Sequence, residues 1–288
     1  YRVSEFNYNG DIDFKKIKWS FLNPKVGFSY KLKKNDIFYL NIGKSGREPA
    51  RYDMFKGMDV LAYLCDFDDN GDIIIPDIGN SLISSIEPEY VTDLEIGWRK
   101  NTRNNIMHIN FYYLDFNNER VLNGALGPNG LALTSNVEKS FRTGLELFGE
   151  IHINQKIKLL HNSSFNHSKI EEKNTEFEPI LTPKFIINQE LIYLINNIHV
   201  SISARYQSAS YINFENSASL NDYLLINGRI DYEQSNYSVS FFINNITDNY
   251  YFNNGMVNTD SYDSVPDGTR SYFVQAARNF YVSFKYIF

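Results

Sequence analysis

Residues 280–288 read Phe-Tyr-Val-Ser-Phe-Lys-Tyr-Ile-Phe, and this stretch decides the fold. Phe280, Val282, Phe284, Tyr286 and Phe288 recur at every second position, with Tyr281, Ser283, Lys285 and Ile287 between them. A repeat of two is a strand with one apolar face and one mostly polar face. An apolar edge strand that stops on an aromatic residue invites aggregation in water. In a membrane barrel, lipid covers the apolar face and a neighbouring strand pairs the edge. The competing reading is the last strand of a soluble sandwich.

Similar segments recur along the chain. The alternation predicts strands at 1–9, 24–33, 36–47, 89–100, 105–118, 141–154, 157–170, 183–195, 198–212, 221–234, 237–250 and 278–288. Short polar connections such as Lys33-Lys34-Asn35-Asp36 and Asn196-Asn197 suit tight hairpins, because Asn and Asp tolerate a left-handed backbone. The long connections fall at 10–23, 48–88, 119–140, 171–182, 213–220 and 251–277. Short and long alternate, as in an up-and-down barrel with short periplasmic turns and long extracellular loops. In 89–100, Thr92, Leu94, Ile96 and Trp98 oppose Asp93, Glu95, Gly97 and Arg99; in 141–154, Leu145 and Leu147 oppose Arg142, Glu146 and Glu150. Gln189 interrupts the apolar positions of 183–195. A soluble sheet of this size would split into two packed layers. The expected fold is therefore an all-β, antiparallel, up-and-down transmembrane β-barrel wall of about 12 strands, forming one domain without a linker.

Composition agrees. Mean hydropathy is −0.38, and no apolar run nears the ~20 residues of a membrane helix. Barrel strands escape such averages because each alternates lipid-facing and lumen-facing residues. Aromatics make up 16% of the chain, with 21 Tyr and 22 Phe against 2 Trp, which suits aromatic girdles at the membrane interfaces. A net charge of −6 gives no electrostatic case for nucleic acid. The single Cys65 makes no intrachain disulfide and reads as a loop thiol; no CxxC or His/Cys cluster suggests a metal site, and no cofactor is expected. Tyr1 to Tyr8 already reads as strand, so the chain is expected to begin inside a fold.

Seven stretches, in order, resemble one family. Asn23-Pro24-Lys25-Val26-Gly27-Phe28-Ser29-Tyr30, Gly46-Arg47-Glu48-Pro49 and the run from Glu87 to Arg99 are similar to the "sPrlGlsY", "fReP" and "l.PE...nyElGyr" motifs of TonB-dependent receptor barrels. Asn110 to Phe116, Arg142-Thr143-Gly144-Leu145-Glu146, the run from Asn244 to Tyr251 and the terminal Arg278 to Phe288 continue the likeness. The resemblance implies that residues 1–288 are the carboxy-terminal portion of a barrel of about 22 strands. The plug domain, the TonB box and the amino-terminal strands are absent from this sequence. It further implies the outer membrane of a Gram-negative bacterium, uptake driven by a TonB–ExbB–ExbD complex, and a scarce ligand such as a ferric siderophore or other iron chelate. Phe288 then belongs to the signal read by the barrel-assembly machinery.

No catalytic constellation stands out. His108, His152, His161, His167 and His199 are scattered, and the acidic run at Asp66, Asp68, Asp69 and Asp72 lacks the closing Glu of a calcium loop. Ligand contacts are expected on the long loops: Arg47 and Arg51 for anionic oxygens, and Tyr52, Phe55, Tyr262 and Tyr272 for stacking. Arg99, Glu146, Glu150 and Arg205 are expected to face the lumen and a plug. Alternatives are uptake of a glycan or cobalamin, a self-contained 12-stranded pore, a barrel hydrolase, and a soluble β-rich binding module.

Overall fold

In a computed structural model, residues 1–7, 16–54, 66–67, 73–74, 87–126, 132–173, 175–258 and 268–287 are described. The chain opens with β1 (Arg2–Phe6), β2 (Ile17–Phe21), β3 (Lys25–Lys33) and β4 (Asp36–Arg47). A helical turn, α1 (Arg51–Met54), and the short β5 (Asp66–Phe67) and β6 (Ile73–Ile74) follow. Next come β7 (Glu89–Asn101), β8 (Asn105–Leu126), β9 (Ala132–His152), β10 (Ile157–Glu172) and β11 (Thr175–Phe177). Then follow β12 (Phe185–Ile195), β13 (Ile198–Gln207), β14 (Ser210–Tyr211), β15 (Ser219–Leu220) and β16 (Tyr223–Glu233). The last are β17 (Tyr237–Asn244), β18 (Phe252–Val257), β19 (Arg270–Val274) and β20 (Asn279–Tyr286).

One 12-stranded sheet dominates, in the order β20-β17-β16-β13-β12-β10-β9-β8-β7-β4-β3, with β11 pairing β10. The described pairs are antiparallel, and the sheet is open, with β3 and β20 at its edges. Short connections join the ladder at one end. Asn196 supplies the left-handed residue of the β12–β13 turn at φ 50°. Asn154 Oδ1 accepts from the Lys156 and Ile157 N–H groups at 2.8 and 2.9 Å, closing the β9–β10 turn.

Register separates the two faces as the alternation requires. Phe38 pairs Trp98 and Leu40 pairs Ile96 on one face; Ile37 pairs Arg99 and Asn41 pairs Glu95 on the other. Val26, Phe28, Ile42, Phe111, Ile202, Val282 and Phe284 stay exposed on the apolar face. Exposure of that many large apolar residues on one surface is unsustainable in water and ordinary in lipid.

The buried protein core sits elsewhere, at the long-connection end. Val121, Val137 and Ile170 form one cluster, covered by Phe177 and Phe214. Ile212, Ala218 and Leu220 form another, covered by Leu181, Phe252 and Val257. Each buried Val, Ile or Leu of these clusters contributes about 1.5–3 kcal/mol. The described parts of the long connections thus pack into a folded layer at that end of the sheet.

The structure corrects several expectations at that end. The strand expected at 1–9 is β1, which leaves the main sheet and pairs β2 inside the expected 10–23 connection. The expected loop 119–140 is mostly the shared extension of β8 and β9, whose register continues through Glu119↔Val137 and Val121↔Ser135 to Leu126↔Ala132. The side chains of Asn118, Glu119 and Arg120 bond across strands and to the neighbouring connection. β13 stops at Gln207 and β17 at Asn244, short of the expected 212 and 250, where the chain turns into loop pairings.

Two glycines hold close contacts on the polar face. Tyr39 pairs Gly97 and Tyr112 pairs Gly144, and each tyrosine ring lies over its glycine. A Cβ at Gly97 would overlap the Tyr39 ring, and one at Gly144 would meet Tyr112 Oη at 2.5 Å. An aromatic ring over a cross-strand glycine covers bare backbone and pins the register. Gly97→Val and Gly144→Val are expected to destabilise the fold by about 1–3 kcal/mol each through overpacking. Gly149→Ala, whose added Cβ has its nearest neighbour at 3.7 Å, should be neutral. Thermal unfolding in detergent, followed by the mobility shift of the unboiled barrel, measures this; equal effects at all three sites would refute it.

Candidate functional site

The polar face carries a continuous lattice. One row crosses six strands through Arg99, His108, Phe148, Asn162, Asn188 and Arg205. The Arg99 guanidinium lies 4.5 Å from the Tyr39 ring centroid. Tyr39 Oη donates to Asn110 Oδ1 at 2.8 Å, and Asn110 Nδ2 donates to Glu146 Oε2 at 3.2 Å. Lys158 Nζ and Glu150 Oε1 pair at 2.6 Å. Arg205 donates to Asn188 Oδ1 at 3.0 Å and to Gln207 Oε1 at 3.1 Å, and Tyr223 Oη donates to the same Gln207 oxygen at 3.0 Å. Arg99, Glu146, Glu150 and Arg205 therefore share one face, each braced sideways by a neighbour. Two recesses open on it. One of about 330 Å³ is lined by Tyr39, Glu95, Arg99, His108 and Glu146. The other, about 440 Å³, is lined by Glu150, Lys158, Asn188, Glu190 and Arg205. Mixed charge and amide groups suit contact with water, a polar protein surface or a polar solute.

The second site is the rim at the long-connection end. Arg47 closes β4 and pairs with Glu89, which opens β7, at 3.1 Å; the Arg47 side chain remains 62% exposed. Arg51 and Tyr52 lie on α1, four and five residues further on. Burial, with the Asp53 charge beside it, pushes the Tyr52 hydroxyl above its ordinary value. Tyr272 sits on β19 against Phe252, with ring centroids 5.1 Å apart, on a separate hairpin from the arginines. β18 of that hairpin reaches β8. Phe55, Tyr262 and Phe288 lie outside the described residues, as do Cys65 and the side chains of the acidic run from Asp66 to Asp72.

Sequence reasoning missed the charges that hold the rim. Asp53 on α1 pairs with Arg120, and its Oδ1 accepts from Thr134 Oγ1 at 2.6 Å. Glu119 pairs with Arg142 and accepts from Ser140. Burial pushes the Glu119 carboxyl above its ordinary value, against the pull of Arg142 and Ser140. Glu48 is bonded by Arg2 and by Ser4 Oγ at 2.8 Å, which docks the β1–β2 hairpin. The only sequence signal for these pairs is opposite charge at positions that register brings together.

His108, His152 and His199 stand on polar-face positions, whereas His161 has the parity of the apolar face. Gln189 shares that face and pairs His161 directly in register. Its Nε2 lies 3.4 Å from His161 Nδ1, and His161 Nε2 lies 3.0 Å from Ser163 Oγ. The interruption at Gln189 is thus a polar group partnered by His161, which Ser163 braces in turn. Among the described residues, no group of three His, Cys, Asp or Glu is placed to hold a metal ion.

An antiparallel sheet with lipid-suited residues on one face and a charged lattice on the other is the wall of a membrane barrel. The chain matches the family of TonB dependent receptor-like β-barrels over residues 1–246. Solved structures agree. The siderophore receptor PiuA from Acinetobacter baumannii superposes with a TM-score of 0.63 at 17% identity, covering 93% of this chain and 36% of that one. The ferric yersiniabactin uptake receptor FyuA from Yersinia pestis gives 0.66 at 13% identity, over 94% and 38%. The copper transporter OprC gives 0.69 at 14% identity, over 94% and 40%. No protein of curated function matches the sequence. The chain belongs to the TonB-dependent receptor β-barrel family and spans well under half the length of these solved relatives. Proteins of this family reside in the outer membrane of Gram-negative bacteria, so its apolar face meets lipid and its polar face the lumen.

Two outcomes follow. Gln189→Leu alone strips a partner from His161 inside lipid and is expected to lower barrel stability by about 1–3 kcal/mol. His161→Leu with Gln189→Leu should recover that loss, because removing both polar groups leaves none unsatisfied; urea unfolding in liposomes reads the difference, and additive losses would refute the coupling. For Glu48, burial raises the pKa, but its own backbone N–H, Ser4 and Arg2 outweigh it and hold the carboxyl below its usual range. A lowered folded pKa contributes stability that is complete above the unfolded value and lost as pH falls through the folded one. Hydrogen exchange in residues 2–6 and 17–21 should therefore speed up below about pH 4. Glu48→Gln should show the fast exchange already at neutral pH, and a wild type unchanged by acid would contradict this.

Proposed function

We propose that residues 1–288 are the carboxy-terminal portion of a receptor barrel that imports a scarce ligand, an iron chelate first of all. What carries this reading is the family match over residues 1–246, joined to a fold shared with a siderophore receptor and a ferric yersiniabactin uptake receptor. In this reading the rest of the protein supplies the plug, the remaining strands and the contact with TonB–ExbB–ExbD. The lattice of Arg99, Glu146, Glu150 and Arg205 faces the plug. Its groups brace one another along the wall, so a domain can be held and released without leaving bare charges. Arg47, Arg51 and Tyr52 at one loop root, with Phe55, Tyr262 and Tyr272, face the ligand; guanidinium groups suit carboxylate or catecholate oxygens, and rings suit planar groups. Phe288 serves the barrel-assembly machinery, and no chemical step is assigned to the chain.

That a copper transporter shares this fold supports the reading that one kind of wall can serve different cargoes and that the rim sets the choice. A self-contained pore fits the ladder poorly. Ten antiparallel steps separate β3 from β20, so the two edges point the same way and would meet as a parallel seam.

Deleting the gene for the complete receptor is expected to abolish growth in iron-poor medium on at least one ferric chelate. Growth on excess ferrous iron should be unaffected. A TonB-deficient strain should show the same loss. Loss of cobalamin or oligosaccharide uptake instead would assign the cargo to those classes, and uptake independent of TonB would overturn the reading.

A further inference from the structure

The connection between β4 and β7 is the longest in the chain, and both of its roots converge on one residue of a different hairpin. Arg120 lies on the extension of β8. Its guanidinium pairs with Asp53 on α1, at the start of the connection. Its backbone N–H donates to Glu89 Oε2 at 3.0 Å, at the end of the connection. The same Glu89 oxygen accepts from Arg47 at 3.1 Å. From the β9 side of the hairpin, Thr134 Oγ1 donates to Asp53 Oδ1 at 2.6 Å, and just before α1 the Ala50 N–H donates to Asp53 Oδ2 at 3.0 Å. The Met54 side chain, next along α1, is fully buried. A further tie runs in parallel: Asn136 Nδ2 donates to Glu87 O at 3.1 Å, and Asn136 Oδ1 accepts from the Glu87 N–H at 3.0 Å.

This pair differs from the other ion pairs of the rim. The Arg120 and Asp53 side chains are 6% and 11% exposed, whereas Arg47 is 62% and Arg2 46% exposed. Exposed pairs are screened and hold little; a desolvated pair whose carboxylate is fixed by further donors tolerates no loss of a partner. Arg120 Nε is buried without a hydrogen-bond partner, and among the described residues Asp53 is the carboxylate that pairs with the guanidinium. A residue in a loop layer would ordinarily be solvated. Here a cation has been taken out of water to reach across from one hairpin to the base of another connection.

We infer that Arg120 is a positioning residue: it locks α1 and Glu89 to the β8–β9 hairpin, so the hairpin and both roots of the β4–β7 connection form one rigid unit that presents Arg47, Arg51 and Tyr52. The purpose of that presentation rests on the importer reading. The rigidity does not, and it is measurable without any ligand.

The test uses the complete receptor in liposomes, with Cys65 replaced by Ser and spin labels at Ala50→Cys and Glu138→Cys, both exposed positions flanking the lock. Pulsed electron resonance should give a single narrow distance distribution. Arg120→Met is expected to broaden it by several ångströms while the unboiled barrel keeps its mobility shift, and Arg120→Lys, which retains the charge, should keep most of the narrow component. Asp53→Asn removes the charge from the loop side without touching the hairpin, and should broaden the distribution in the same way; it decides the matter where Arg120→Met does not assemble. A distribution that stays narrow in both Arg120→Met and Asp53→Asn overturns the lock. So does equal broadening by Arg120→Lys and Arg120→Met, since packing rather than charge would then hold the unit.

Discussion

Backbone hydrogen bonding in lipid is the constraint on which everything else depends. A strand crossing hydrocarbon has no water to satisfy its N–H and C=O groups, so a neighbouring strand must do it. The ladder from β3 to β20 meets that demand pair by pair, with registers that run unbroken through the middle of the sheet. Side chains are released from that task. They can be apolar on one face and charged on the other without affecting the ladder, and the alternation of residues such as Ile202 and Ser203 is the result.

The same constraint moves the protein core. In a soluble sheet the apolar face would make the core; here lipid takes that face, and the polar face carries ions and amides. Fully buried side chains such as Ile170 and Ile212 therefore collect in the loop layer, where water has to be excluded by protein alone. That layer resembles a small soluble protein, with clusters, ion pairs and extended hairpins. The fold itself is shared with a siderophore receptor and a copper transporter.

Legibility from sequence follows this division. In the wall, each residue's environment depends on its parity, so strands from β3 to β20 could be placed from alternation alone. Gln189 broke the alternation and drew attention to the right position; only the register, which brings His161 beside it, explains how it is tolerated. In the loop layer, parity says little. The sequence pattern puts Glu119 and Arg120 at the opening of a long connection, yet they belong to a strand, and their side chains bond Ser140, 21 positions away, and Asp53, 67 positions away. Of the rim residues expected to meet ligand, Arg47, Arg51 and Tyr52 come together because they are close in sequence. Tyr272 stands on a separate hairpin, and no local pattern could have told whether it joined them.

On the importer reading, the wall has to stay fixed while something inside and above it changes. The polar lattice achieves the first part through lateral bonds such as Tyr39 to Asn110 to Glu146, which do not need an occupant in the lumen to be satisfied. The rim achieves it differently, through a few desolvated charges that bind one connection to another. Lateral bonding is redundant, since each row has several members. A buried pair is not redundant, since either partner left alone is an uncompensated charge. The lattice of the polar face is therefore expected to tolerate single polar changes better than the buried pairs of the rim, although the rim is where sequence variation in loops would be expected to be freest.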